Sequence, residues 1–200
     1  MLHISKGNSK LGAHIINVSL PPIITCRKGA PCAKDGACYA LKFYKARPTC
    51  KKAWDENLEL YKSNPFEFWG QVIKAAKEAP YFRWFVAGDI PDAKFYRGMC
   101  NCARKCKGTQ FLCFTKQYEI VNRETARGEE KPANLHIVFS EWDGLELVNP
   151  YRFPVAHVLM PGDKPKKNWK LCGGNCEECI CAGIGCWMLR KGQHVAFEKH

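Results

Sequence analysis

Six short, nearly continuous apolar runs punctuate the chain, at residues 14–20, 81–87, 110–115, 135–140, 155–160 and 194–198. Unbroken rather than alternating apolar character marks a strand buried on both faces, so each run predicts an interior strand. Between the first four lie segments with helical spacing. Over 50–62, Trp54, Leu58 and Tyr61 form one stripe, and the helix-opening pair Asn64-Pro65 precedes Phe66, Trp69, Ile73 and Ala76. A third helix carries Phe95, Met99, Cys102 and Cys106, and a fourth is expected over 116–126. This alternation predicts right-handed parallel units, in an open doubly wound sheet or a full or partial barrel. No repeat of fixed period and no low-complexity tract interrupts it.

Both architectures put chemistry at the C-terminal ends of the strands. The runs are followed by Pro21-Pro22 and a cysteine loop, Gly88-Asp89, Thr115-Lys116, Ser140-Glu141-Trp142, Pro161-Gly162-Asp163 and Lys199-His200. Of these, Asp89, Lys116 and Ser140 are the catalytic candidates, with Glu141 beside them. Asp89 would accept hydrogen bonds from an amine, Lys116 would pair a carboxylate or phosphate, and Ser140 would hold a polar group. The alternative for each is simple solvation of a strand end. His136, His157 and His194 fall early in their strands, which on a barrel predicts satisfied core or bottom-face residues.

The 200 residues have ordinary globular composition and predict a single domain over 1–200, with the barrel over 12–160 plus a final strand at 193–200. No stretch approaches the ~18 apolar residues of a membrane span, and the first residues lack a secretory signal, so a soluble monomer in the cytoplasm is expected. Two features depart from average: 13 Cys, and 31 Lys+Arg against 19 Asp+Glu, a formal charge of +12. An odd cysteine count in a chain without an export signal favours metal, redox or packing roles over a disulfide framework.

The cysteines fall in three groups. The first is Cys26, Cys32 and Cys38 with Cys50 trailing; the second is Cys100, Cys102, Cys106 and Cys113; the third is Cys172, Cys176, Cys179, Cys181 and Cys186, residues 172–187 forming a cysteine-rich segment. Five-residue spacers in the first group and the glycines Gly173, Gly174, Gly183 and Gly185 in the third suit polynuclear iron–sulfur centres on loops, with zinc as the alternative. Two 4Fe-4S clusters at about −2 each would lower the net charge to roughly +8. In the second group, Cys102 and Cys106 share the apolar stripe of Phe95 and Met99, so packing accounts for them, and a third centre stays open.

Cys172, Cys176 and Cys179 have the C-x3-C-x2-C spacing of the radical SAM superfamily, in which three cysteines hold a 4Fe-4S cluster and leave one iron for S-adenosylmethionine. Here Glu178 stands where an aromatic residue is common, and the motif precedes the last strand instead of following the first. The third group therefore reads as an auxiliary or structural cluster, and Cys26, Cys32 and Cys38 hold the SAM-like position. No Gly-Gly-Glu stretch follows the second strand, which leaves S-adenosylmethionine binding open. Taken in order, Leu20-Pro21, Thr25-Cys26, Cys38-Tyr39-Ala40, Gly88-Asp89, Tyr96, Thr115-Lys116, Ser140 and the terminal Cys186-Trp187 segment resemble the gene product eighty-eight-like proteins of tailed phages and their prophages. A related phage and bacterial family with the same ordered elements looks like a radical-SAM-type barrel. The resemblance covers nearly the whole chain and implies α/β architecture, a partial (β/α)6 TIM-like barrel of the radical SAM type, in a protein of the host cell cytoplasm.

Two functions follow. One is an enzyme performing radical or redox chemistry on a small-molecule or macromolecular substrate at an exposed cluster. The other is a metal-stabilised nucleic-acid-binding protein, in which Lys164 to Lys170 would track a phosphate backbone and Trp169 would stack on a base.

Overall fold

The computed structural model describes residues 1–34 and 36–198. The six apolar runs become strands β2 (Gly12–Val18), β3 (Tyr81–Trp84), β4 (Gln110–Thr115), β5 (Leu135–Ser140), β6 (Val155–Leu159) and β8 (His194–Glu198). Two short strands join them: β1 (Ser5–Asn8), hairpinned onto β2, and β7 (Trp169–Leu171). Together they make one eight-stranded sheet in the order β1-β2-β3-β4-β5-β6-β8-β7, antiparallel only between β1 and β2. The sheet is open, with β1 and β7 as its edges; it does not close into a barrel. Lys199-His200, expected on the rim and in the final strand, lie outside the described residues.

From β2 to β6 the parallel strands follow one another in chain order, and the chain turns back only from the edge strand β7 to β8. Right-handed crossovers in such an order place every intervening helix on one face. That face holds the larger core. There α3 (Pro48–Ser63), α4 (Pro65–Lys77), α5 (Ala93–Lys105) and α6 (Tyr118–Ala126) pack Leu58, Phe68, Phe95 and Val121 against Phe82, Trp84, Phe111 and Phe139. Pro at the first position and the Asn64 side chain accepting from Glu67 N–H start α4, and Asp92 caps α5 through Phe95 N–H. The buried face of α4 is Phe68, Val72 and Ala76, whereas Phe66 is 89% exposed; the stripe expected from Phe66 is rotated accordingly.

The alternate residues Ile15, Leu112, Val138, Ala156 and Val195 face the other way, onto a smaller core completed by Leu11, Trp187 and Leu189. The helices α3 to α6 do not cover this inner face. The C-terminal segment does, through α7 (Cys176–Cys181) and a single 3-10 turn, Cys186–Met188. It leaves the β7 edge, where Cys172 N–H bonds Ala196 C=O, and reaches the β1–β2 hairpin, where Cys176 N–H bonds Lys10 C=O. The cysteine-rich segment is thus a strap from one sheet edge to the other.

The β5–β6 junction carries a large register step. The last residues of β5, Phe139 and Ser140, pair with the first of β6, Val155 and Ala156. Val155 in turn pairs with His194 and His194 with Trp169. The starts of β6, β8 and β7 consequently stand level with the end of β5. His157 and His194 are therefore not at the bottom of the sheet, as their early strand positions suggested, but close to the rim.

Candidate functional site

The rim is organised by the loop after β2. Ser19 and Leu20 lock onto the loop after β3: Leu20 N–H bonds Ala87 C=O, and Ser19 Oγ accepts from Val86 and Ala87 N–H. Thr25 Oγ1 donates to Pro21 C=O at 2.8 Å and accepts from Asp89 N–H at 3.1 Å. Gly88 sits at φ +82°, and a Cβ there would lie 2.6 Å from Leu20 O and 2.7 Å from Thr25 Oγ1. Only glycine lets the two loops meet this closely.

Asp89 is 5% exposed and accepts three hydrogen bonds. Oδ1 accepts from Thr115 Oγ1 at 2.5 Å and Ile90 N–H at 2.8 Å, and Oδ2 accepts from Lys116 N–H at 2.8 Å. Burial nonetheless pushes its carboxyl above the usual range. Through these bonds Asp89, a catalytic candidate, ties the loops after β3 and β4 together. Lys116 projects further: its Nζ donates to Ser140 Oγ at 3.0 Å and lies 5.3 Å from the Trp142 ring centre. Two of the three catalytic candidates, Lys116 and Ser140, thus form one polar contact on the rim.

Within this frame Cys26, Cys32 and Cys38 approach one another closely enough for their charges to interact. Cys38 is the N-cap of α2 (Tyr39–Ala46), Cys32 lies in the one-turn α1 (Pro31–Lys34), and Cys26 Sγ accepts from Ile23 N–H at 3.4 Å. Ile23 holds φ +71°, a left-handed conformation that is strained for a β-branched residue. Burial and then Asp89 push the Cys26 thiol up to about 12; burial also raises Cys32, against the opposing pull of Lys116. These are not the acidic, ready-made thiolates of a nucleophilic cysteine.

A second set lies beneath the C-terminal strap. Cys172, Cys176, Cys179 and Cys186 line a cavity of about 230 Å³ on the inner face of the sheet, together with Arg83 and Phe114. Arg83, from β3, lies 4.4 Å over the Phe114 ring and supplies positive charge beside the sulfurs. Gly174 N–H donates to Cys172 Sγ at 3.4 Å, and a Cβ on Gly173 would stand 3.4 Å from Cys179 Sγ. Burial pushes the Cys186 thiol up to about 12 and raises Cys176. Cys181, expected among the ligands, is exposed and outside this lining.

The middle cysteines belong to the packed core. Cys100, Cys102 and Cys106 lie on or at the end of α5 and Cys113 on β4, all buried in the helix-side core. Cys50 stands apart on α3. Among the described residues, no group of three or more His, Cys, Asp or Glu side chains closes around a single metal ion.

Three features escaped the sequence reading. Arg83 was hidden in a short buried strand, although a charge inside Tyr81–Trp84 is itself a signal. Tyr39, after the last cysteine of the loop, donates from its hydroxyl to Val86 C=O at 2.5 Å. His157, bonded to Glu141 and His194, carries Trp169 stacked on its ring with centroids 3.7 Å apart. One face of that indole is thereby occupied, and Lys166 Nζ lies 5.2 Å from its centre.

Fold and site together define an α/β protein with a mostly parallel, sequentially ordered sheet, one cysteine set on its C-terminal rim and another beneath a terminal strap. The chain belongs to the Gene product 88 family of phage proteins, whose model matches residues 2–191. No curated protein and no solved structure matches it. Among the described residues, no helix is long and apolar enough to cross a membrane.

Proposed function

We propose that this is an iron–sulfur protein with a radical-SAM-like partial barrel, in which Cys26, Cys32 and Cys38 hold one 4Fe-4S cluster and Cys172, Cys176, Cys179 and Cys186 hold another. The observation that carries the reading is the placement of three half-buried cysteines, Cys26, Cys32 and Cys38, in the segment that follows β2, beside Lys116 at the C-terminal rim of the parallel strands. Three thiolates leave one iron of a cubane without a protein ligand, whereas four complete it. The rim set is accordingly the reactive centre and the strap set the closed one.

The chain's own residues have separable tasks. Thr25, Gly88 and Asp89 fix the cysteine loop against the strand ends. Ile23 and Gly174 aim N–H groups at sulfur, which favours the charged, cluster-bound form. Lys116, held by Ser140, offers an ammonium to a carboxylate or phosphate of a substrate or cofactor at the rim. Arg83 offsets negative charge in the strap cavity. When bound, the rim cluster would supply one-electron chemistry, with S-adenosylmethionine or another small molecule at its open iron.

Electron paramagnetic resonance of the dithionite-reduced, anaerobically prepared protein, with and without S-adenosylmethionine, tests this. Two cluster signals are expected, one of which changes with the cofactor and disappears in Cys32→Ser. Two signals that both ignore S-adenosylmethionine would leave an iron–sulfur binding protein and remove the radical-SAM reading. Stoichiometric zinc without iron would remove both.

A further inference from the structure

His157 is bonded at both ring nitrogens while almost sealed from solvent, at 6% exposure. Its Nδ1 meets a carboxylate oxygen of Glu141, and its Nε2 meets Nδ1 of His194 at 2.8 Å. Ala156 and Val195 point to the inner core, so His157 and His194 occupy the opposite face of the sheet. The Trp169 indole lies on the His157 ring, 6° from parallel. The groups facing this pair are Glu141 from the loop after β5, His194 from β8 and Lys166 from the segment before β7.

A nitrogen–nitrogen hydrogen bond accommodates one proton between its partners. With Nδ1–H directed at Glu141, neutral His157 accepts from His194. After uptake of one proton, His157 donates to both neighbours and His194 accepts. A second proton leaves two N–H groups opposed and two like charges adjacent, with Lys166 adding to the repulsion; the bond is then lost.

The clamp holds a weak part of the fold. Strand β7 has three residues, pairs with β8 alone and forms a sheet edge, and its first residue is Trp169. The next residue after β7 is Cys172, bonded to Ala196, where the cysteine strap begins.

We propose that Glu141, His157 and His194 form a one-proton clamp that, through the stacked Trp169, pins β7 to the sheet, and that acid releases β7 and the start of the cysteine strap while the central strands stay folded. The direction agrees with the environment of His194, whose burial, with His157 and Lys166, holds its imidazole below the ordinary range against the pull of Glu141. A histidine that resists protonation in the closed state takes up its proton on opening, so acid favours the open form.

Hydrogen exchange of the intact protein, corrected for intrinsic rates and followed from about pH 7 to about pH 5, tests the clamp. Protection of residues 169–172 is expected to fall about tenfold or more while residues 111–115 keep theirs. In His194→Gln, whose amide cannot take up a proton, residues 169–172 should stay protected. Acid release identical in wild type and variant, no release in wild type, or release together with 111–115 would each overturn the proposal. Nitrogen-detected titration of His157 and His194 in the wild-type chain supplies a measurement independent of any variant. Uptake of the second proton should coincide with the loss of protection, and uptake that leaves protection intact contradicts the clamp.

Discussion

Glu177 Oε2 accepts a hydrogen bond of 2.9 Å from the backbone N–H of Ala13, joining the cysteine strap to the first hairpin of the fold. Its other oxygen meets His14, and the adjacent Gly12 stands at φ +89°. A Cβ at Gly12 would lie 2.1 Å from Glu177 Oε2 and 2.4 Å from its Cβ. Gly12→Ala should therefore cost roughly 1–3 kcal/mol, from backbone strain and from displacement of α7. Denaturant unfolding of Gly12→Ala beside Glu177→Ala measures it; an unchanged midpoint for Gly12→Ala would show that the strap is not seated there.

Asp89→Asn replaces a carboxylate oxygen that accepts from Lys116 N–H with either a second donor or a rearranged amide. One buried N–H then loses its partner, at a cost of about 1–3 kcal/mol. Thr115→Val, which removes the donor to Oδ1, should destabilise less. If both variants unfold like wild type, Asp89 does not tie the rim loops together.

His136 Nε2–H donates to Gln110 Oε1 at 2.9 Å, and burial, helped by Lys131, brings its pKa down to about 4. The unfolded chain, with an ordinary histidine near 6.5, binds the proton first as pH falls. This contribution to stability is therefore complete above about pH 6.5 and is lost progressively towards pH 4; allowing for partial exposure it amounts to roughly 1–3 kcal/mol. His136→Gln should flatten the pH dependence of unfolding in that window. An undiminished slope would assign the acid sensitivity to other groups.

The burial of the middle cysteines in the helix-side core lets packing be separated from ligation by substitution. Cys102→Ala and Cys113→Ala remove buried sulfur from the helix-side core and should lower stability by about 1–2 kcal/mol with metal content intact. Cys181→Ser should change neither. Cys176→Ser should lower iron content. Elemental analysis of the four variants distinguishes these roles, and loss of iron from Cys113→Ala would restore a third centre.

The six buried strands were legible because residues such as Leu112, Val138 and Val195 serve one core while their neighbours Phe111, Phe139 and Ala196 are buried on the other face, leaving no polar side to the pattern. Strands β1 and β7 were not legible, being three or four residues long and largely exposed. Nor was the step between β5 and β6, since a register belongs to the pairing and neither strand encodes it alone. That step accounts for the misplaced His157 and His194. Lys116 and Ser140 could be found because strand ends carry rim chemistry, whereas the engagement of Asp89 depends on Thr115 and Ile90 meeting it in three dimensions.

The central claim is that the two cysteine sets hold iron and sulfide. Anaerobic purification followed by iron, acid-labile sulfide and zinc analysis tests it most directly. The expected result is a brown protein with about eight iron and eight sulfide per chain, falling by about half in Cys26→Ser and in Cys176→Ser. A colourless, fully folded protein free of iron under the same conditions would contradict the account.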